Sequence, residues 1–212
     1  MKRFDQVDGL RGIACLLVIW HHVADGYAAI AGSGFWMQRV AHDYNLGLLG
    51  VLAFFAISGF VIPSSLKGTR GEGVRQFITR RFWRLYPPFW FALLITWAMD
   101  LSSFSGERLA WNISMFPSLG GALPAAGHFW TLEVELVFYA LVAALFLIVG
   151  RLGWKVIVPT YILTGGCYLT WSTLTIGDHW NTIILYLAVM FYGACCREII
   201  RFDFSKWVVA SR

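Results

Sequence analysis

The sequence predicts an all-α fold, a polytopic transmembrane bundle of about six spanning helices with both termini on the cytoplasmic side. Composition, the length of the apolar runs and the placement of Lys and Arg lead there. Of the 212 residues, 58% are hydrophobic and 14% charged, against roughly 45–50% and 25% in an average soluble domain. The 17 basic and 12 acidic side chains cannot coat a water-soluble globule of this size and leave a normal core. With 17% aromatic residues, the chain also lies far from the low hydrophobicity of disordered segments. The apolar surface therefore has to be buried, and runs of about 20 residues point to lipid.

Taken in order, the first run covers residues 13–31 and is interrupted by His21, His22 and Asp25. Lys2-Arg3, the apolar stretch and Ala29-Ile30-Ala31 have the outline of a cleaved signal. Arg11 and the three ionisable groups sit poorly in a signal core, so the run is read as a retained first helix. The second run, 46–66, carries no charge; Gly47, Gly50 and the Ser58-Gly59 step suit close helix packing, and Pro63 ends or kinks it. A third run, 82–99, follows a basic stretch from Arg75 to Arg84 that leads into Leu85-Tyr86-Pro87-Pro88. The fourth, 129–149, contains Glu133 and Glu135; the fifth, 156–177, is uncharged; the sixth covers 179–196. Cys15, Cys167, Cys195 and Cys196 fall inside these runs without metal-ligand spacing, so neither a disulfide framework nor a metal site is expected.

Orientation follows from the excess of Lys and Arg in cytoplasmic connections. With the N-terminus inside, 15 of the 17 basic residues fall on the inner side, and only Arg39 and Arg108 lie outside. The net charge of +5 is then a record of topology and gives no reason to expect a nucleic-acid partner. The partner it implies is the lipid bilayer. Without an internal repeat or low-complexity linker, residues 1–212 read as one membrane domain.

Ionisable groups at membrane depth cost about 2.5–3.5 kcal/mol each on insertion scales, which makes each a functional candidate. Arg11 and His22 are eleven positions apart, which on a helix returns to within about 20° of the same face, roughly 16 Å along the axis. At this point His21 and His22 both stand open as packing histidines. Glu133 and Glu135 point about 200° apart, and Glu135 lies within about 5 Å of the depth of His22. Such a His–Glu pair would fix a tautomer and raise the basicity of a general base; the other reading is a structural neutraliser of a basic residue. Arg81 and Arg84, three apart on one helix face, suit a phosphate-bearing ligand, or an anchor on anionic lipid.

The run Asp8-Gly9-Leu10-Arg11-Gly12-Ile13-Ala14 leading to His22 resembles the arginine, ten-residue gap and histidine of the acyltransferase 3 family of membrane proteins. Phe54-Phe55-Ala56-Ile57-Ser58-Gly59-Phe60 is similar to that family's second-helix motif, and Arg80-Arg81-Phe82-Trp83-Arg84-Leu85-Tyr86-Pro87 to its arginine-rich loop. His128-Phe129-Trp130-Thr131-Leu132-Glu133-Val134-Glu135 with Phe138-Tyr139 is similar to its tryptophan, glutamate and Phe-Tyr signature. Four motifs in family order make the resemblance specific.

The resemblance implies an integral membrane O-acyltransferase of the bacterial inner membrane. It would move an acyl group, acetyl by expectation, from cytoplasmic acyl-coenzyme A to a hydroxyl of a carbohydrate or envelope glycan. It would use acyl-coenzyme A as donor substrate and need no bound cofactor. Carried over by position, Arg11, His22 and Glu135 are the catalytic candidates, with His22 preferred over His21 by the gap. Arg80, Arg81 and Arg84 are donor-binding candidates, with Ser58 and Tyr139 as further substrate-binding positions. The family's members usually have about ten spans, so the chain is expected either to be truncated on its C-terminal side or to be naturally short, relying on homo-oligomerisation or having lost activity. Two competing readings are a carrier or channel with a buried His/Glu relay and an inactive structural subunit.

Overall fold

The computed structural model describes residues 5–32, 36–99, 105–174 and 179–210. Eight α-helices run through them, and no strand occurs among the described residues. In chain order they are α1 (Asp5–Ala31), α2 (Trp36–Asp43), α3 (Leu46–Val61), α4 (Arg70–Met99), α5 (Gly106–Ile113), α6 (Trp130–Val149), α7 (Trp154–Leu174) and α8 (His179–Ala210). Short 3₁₀ turns lie at Pro63–Ser65 and Pro117–Gly120. The all-α prediction holds.

Among the described residues, four stretches are long and apolar enough to cross a membrane: Gln6–Ala31, Leu46–Ser65, Trp130–Val149 and Trp180–Phe202. The other two predicted runs lie on α4 and α7, and the end of the 156–177 run falls outside the described residues. As the proline implied, α3 stops at Val61 and the chain turns at Pro63. The arginine-rich segment differs from a loop: it is the first half of the 30-residue α4, which continues through Pro87 and Pro88.

The helices group into two compact units, one formed by Met1–Pro63 with Gly153–Arg212 and the other by Ser64–Leu152. In the first, α3 packs between α1 and α8, while α2 lies on α1 and α7 on α8. Glycine decides these distances. A Cβ at Gly59 would lie 1.7 Å from the Met190 carbonyl oxygen, and one at Gly193 would lie 2.0 Å from that of Ala56. The α3 and α8 backbones therefore touch where no side chain intervenes, the mode favoured where lipid removes the hydrophobic drive between helices. Gly59 is thus the packing notch read from the sequence. Gly50 does the same against α1, where an added Cβ would lie 2.8 Å from the Ala14 carbonyl oxygen. At the α3 terminus Arg197 donates from Nη1 to the Phe60 carbonyl at 3.0 Å, supplying a partner to one of the end carbonyls a helix leaves unpaired. On α1, Leu10, Ile13, Leu16, Ile19, Val23, Tyr27 and Ile30 remain exposed, an apolar stripe that is a liability in water and an ordinary outer face in lipid.

In the second unit α4 packs on α6 and α5. Phe89 and Leu93 of α4 meet Met115 and Phe129 in a small core, with Phe89 and Phe129 edge to face at 5.0 Å. Ser105 caps α5 by accepting the Arg108 N–H at 3.1 Å. Buried Asn112 then organises the following segment: its Nδ2 donates to the Arg108 and Leu123 carbonyls and its Oδ1 accepts the Ala125 N–H at 2.7 Å. Tyr86 and Trp90 of α4 donate to the Ser114 and Ile113 carbonyls at the end of α5.

Candidate active site

α1 is helical without interruption from Asp5 to Ala31, so Arg11 and His22 share a face as their spacing required. Arg11 donates from Nη1 to Asp8 Oδ1 at 3.3 Å, one turn back. His22 is exposed, and its ring stands edge-on to that of His21 at 5.7 Å. Asp25 is the carboxylate of this region: its Oδ1 lies 2.7 Å from His42 Nε2 and its Oδ2 lies 3.5 Å from His21 Nε2. The His21 and His42 rings tilt against each other at 5.2 Å. α2 is held there by the Trp20 indole, which donates to the Met37 carbonyl at 3.2 Å.

Sequence reasoning passed over Asp25 and His42. The four-residue step from His21 to Asp25 was a visible signal, since such pairs face each other on a helix. His42 had no comparable signal, because an eight-residue helix between two spans reads as a loop.

On α6 the expected step from Glu135 to Tyr139 closes a hydrogen bond, the phenol donating to Glu135 Oε1. The buried Tyr139 ring meets Phe77 edge-on at 5.6 Å. Both rings face Arg81, whose guanidinium carbon lies 5.2 Å from the Tyr139 centroid and 5.5 Å from that of Phe77, within reach of cation–π attraction. Its Nη2 also donates to Ser65 Oγ at 3.3 Å. Arg81 is thereby held in one orientation. Ser65, Phe77, Arg80, Arg81 and Arg84 line a cavity of about 200 Å³. That is below the roughly 300–1,000 Å³ of pockets enclosing whole drug-sized ligands, so the cavity has room for only part of a larger ligand beside the guanidinium groups. Arg80 and Arg84 are exposed, with Arg80 reaching Gln76 Oε1 at 3.5 Å.

Glu133 takes a different path: it is 2% exposed and accepts from Ser118 Oγ at 2.7 Å, which ties α6 to the 3₁₀ turn at Pro117–Gly120. The two glutamates thus have separate partners, and Glu135 is the one bonded to the tyrosine that lies under Arg81. Arg11 and His22 belong to the first unit, Glu135, Tyr139 and the three arginines to the second. Ser58 is half-buried on α3 and its carbonyl accepts the Ile62 N–H. Among the described residues no group of three or more His, Cys, Asp or Glu is placed to hold a metal ion.

An arginine–histidine helix, an arginine-lined cavity and a Glu-Tyr step occur together in a chain that matches the family described as acyltransferase domain over residues 4–210. The chain belongs to the acyltransferase 3 family. Curated relatives of this acyltransferase family member include the putative peptidoglycan O-acetyltransferase YrhL of Bacillus subtilis, 29% identical over 68% of this chain and 24% of its own length. The peptidoglycan O-acetyltransferase OatA of Listeria monocytogenes is 26% identical over 69% of this chain and 25% of its own. The exopolysaccharide production protein ExoZ of Rhizobium meliloti is 31% identical over 50% of this chain and 36% of its own. The aligned part of the chain thus spans about a quarter to a third of these relatives' lengths. No solved structure matches it significantly.

Proposed function

We propose that the chain is the membrane-embedded acyl-transfer part of a bacterial inner-membrane O-acetyltransferase, with cytoplasmic acetyl-coenzyme A as donor and an envelope glycan hydroxyl as acceptor. The observation that carries this reading is the arginine-lined cavity with Arg81 fixed between Ser65, Phe77 and Tyr139. A guanidinium is always protonated and matches phosphate oxygens with paired donors. One already immobilised loses less side-chain freedom on binding.

Arg80, Arg81 and Arg84 hold donor phosphates, and Glu135 acts through Tyr139 to keep Arg81 in place. His22 takes the proton of the acceptor hydroxyl as its oxygen attacks the acetyl carbonyl carbon. The new C–O bond forms as the C–S bond breaks, and the electron pair leaves on sulfur as the coenzyme A thiolate. The proton held by His22 returns to solvent or to that thiolate, giving acetyl ester and free thiol. Arg11 stabilises negative charge on the donor or on the carbonyl oxygen. The concentration of basic residues in the predicted inner segments supports a donor on the cytoplasmic side. The acceptor class is suggested by the peptidoglycan O-acetyltransferases that the chain resembles.

The test uses membranes containing the protein, radiolabelled acetyl-coenzyme A and an N-acetylglucosamine oligosaccharide. Label entering the oligosaccharide as an alkali-labile ester, and lost with H22A, is the expected result. Uptake of label without acyl transfer would instead favour a carrier.

A further inference from the structure

In the first unit one carboxylate serves two imidazoles, and these belong to different helices. Asp25 Oδ1 and Oδ2 face His42 Nε2 and His21 Nε2 at 2.7 and 3.5 Å. His21 is the ring against which His22 stands edge-on at 5.7 Å, and Asp25 interacts electrostatically with all three histidines. The other side of His21 is also fixed: a Cβ at Gly47 would lie 2.7 Å from its ring Cδ2. Gly47 thus leaves only enough room for the ring in its present place.

We propose that Asp25 is a positioning residue for His22, acting through the His21 and His42 rings that it holds at the end of α1 remote from Arg11. This rests on the reading of His22 as the base. The short contact fixes which His42 ring nitrogen carries the proton, since Nε2–H donates to Asp25 Oδ1, while His21 Nε2 faces Oδ2 at ion-pair distance. It also ties α2 to α1, so the His21 ring beside His22 is set from two helices. Outer partners that orient a functional imidazole in this way typically contribute about 10–100-fold to its function.

The experiment measures donor KM and kcat separately for the membrane-embedded protein and for D25N, D25E, H42Q, G47A and H22A, with membrane insertion verified for each. D25N is expected to lower kcat about tenfold or more with donor KM unchanged, and D25E to recover most of it. H42Q and G47A, which disturb the cluster without removing the carboxylate, are expected to lower kcat by smaller factors. A merely structural Asp25 would lower the amount of inserted protein and leave kcat per inserted molecule unaltered. Wild-type kcat in D25N while H22A is inactive overturns the inference and leaves the base assignment standing. Activity in H22A overturns both. Should D25N fail to insert, wild-type kcat in both H42Q and G47A overturns the inference in its place.

Discussion

Asp25 and Glu135 are both carboxylates set into long apolar helices, yet they keep different company. Asp25 on α1 faces two imidazoles, whereas Glu135 on α6 accepts from a phenol whose ring lies under a guanidinium. Imidazoles exchange protons near neutral pH, and guanidinium does not. The first arrangement suits proton transfer and the second suits holding an anion. On the proposed reading, the two carboxylates serve the two requirements of acyl transfer, Asp25 beside the base and Glu135 beside the donor clamp.

If this division is right, changes in the two regions separate kinetically. The largest effect is expected from H22A, which should lower kcat about 10²–10⁴-fold, equivalent to about 3–5 kcal/mol, while donor binding stays as in the wild type; steady-state transfer kinetics read both. A change placed away from either carboxylate comes next. Gly59→Ala puts a Cβ against the Met190 backbone and should cost about 1–3 kcal/mol through forced separation of α3 and α8. Thermal unfolding in detergent measures it, and an unchanged midpoint would refute the close-contact account. The smallest effect belongs to Tyr139→Phe, which keeps the ring under Arg81 but removes the bond to Glu135. Donor KM should rise about two- to tenfold from the loss of about 0.5–1.5 kcal/mol, with kcat unaffected. A fall in kcat instead would erase the distinction between the two regions.

The helical architecture was legible because uncharged runs of spanning length leave few alternatives; that α3 ends before Pro63 while α4 continues through Pro87 and Pro88 is decided by packing beyond the local pattern. Glu135 and Tyr139 were legible as a pair for the same reason as His21 and Asp25: four residues is one helical turn. The arginine segment was half legible. Its helical spacing was visible, but the capture of Arg81 by Ser65, Phe77 and Tyr139 depends on packing between α4 and α6 that no local pattern encodes. α2 and α5 were missed since a helix of eight residues is only about two turns long, too short to be told from a loop between spans. With α2 went His42, and with α5 went the role of Asn112. Its Asn112-Ile113-Ser114 triplet has the form of a glycan acceptor, yet its amide is buried and bonded to three backbone groups.

The central claim is that the α4 arginines hold the phosphates of an acyl-coenzyme A donor. Equilibrium binding of radiolabelled acetyl-coenzyme A to membranes containing the protein, competed by free coenzyme A, tests it most directly. The account predicts saturable binding that is equal in wild type and H22A, and weakened about tenfold or more in R81Q/R84Q, given about 1.5–3 kcal/mol for a hydrogen bond to a charged group. Wild-type binding in R81Q/R84Q would contradict it.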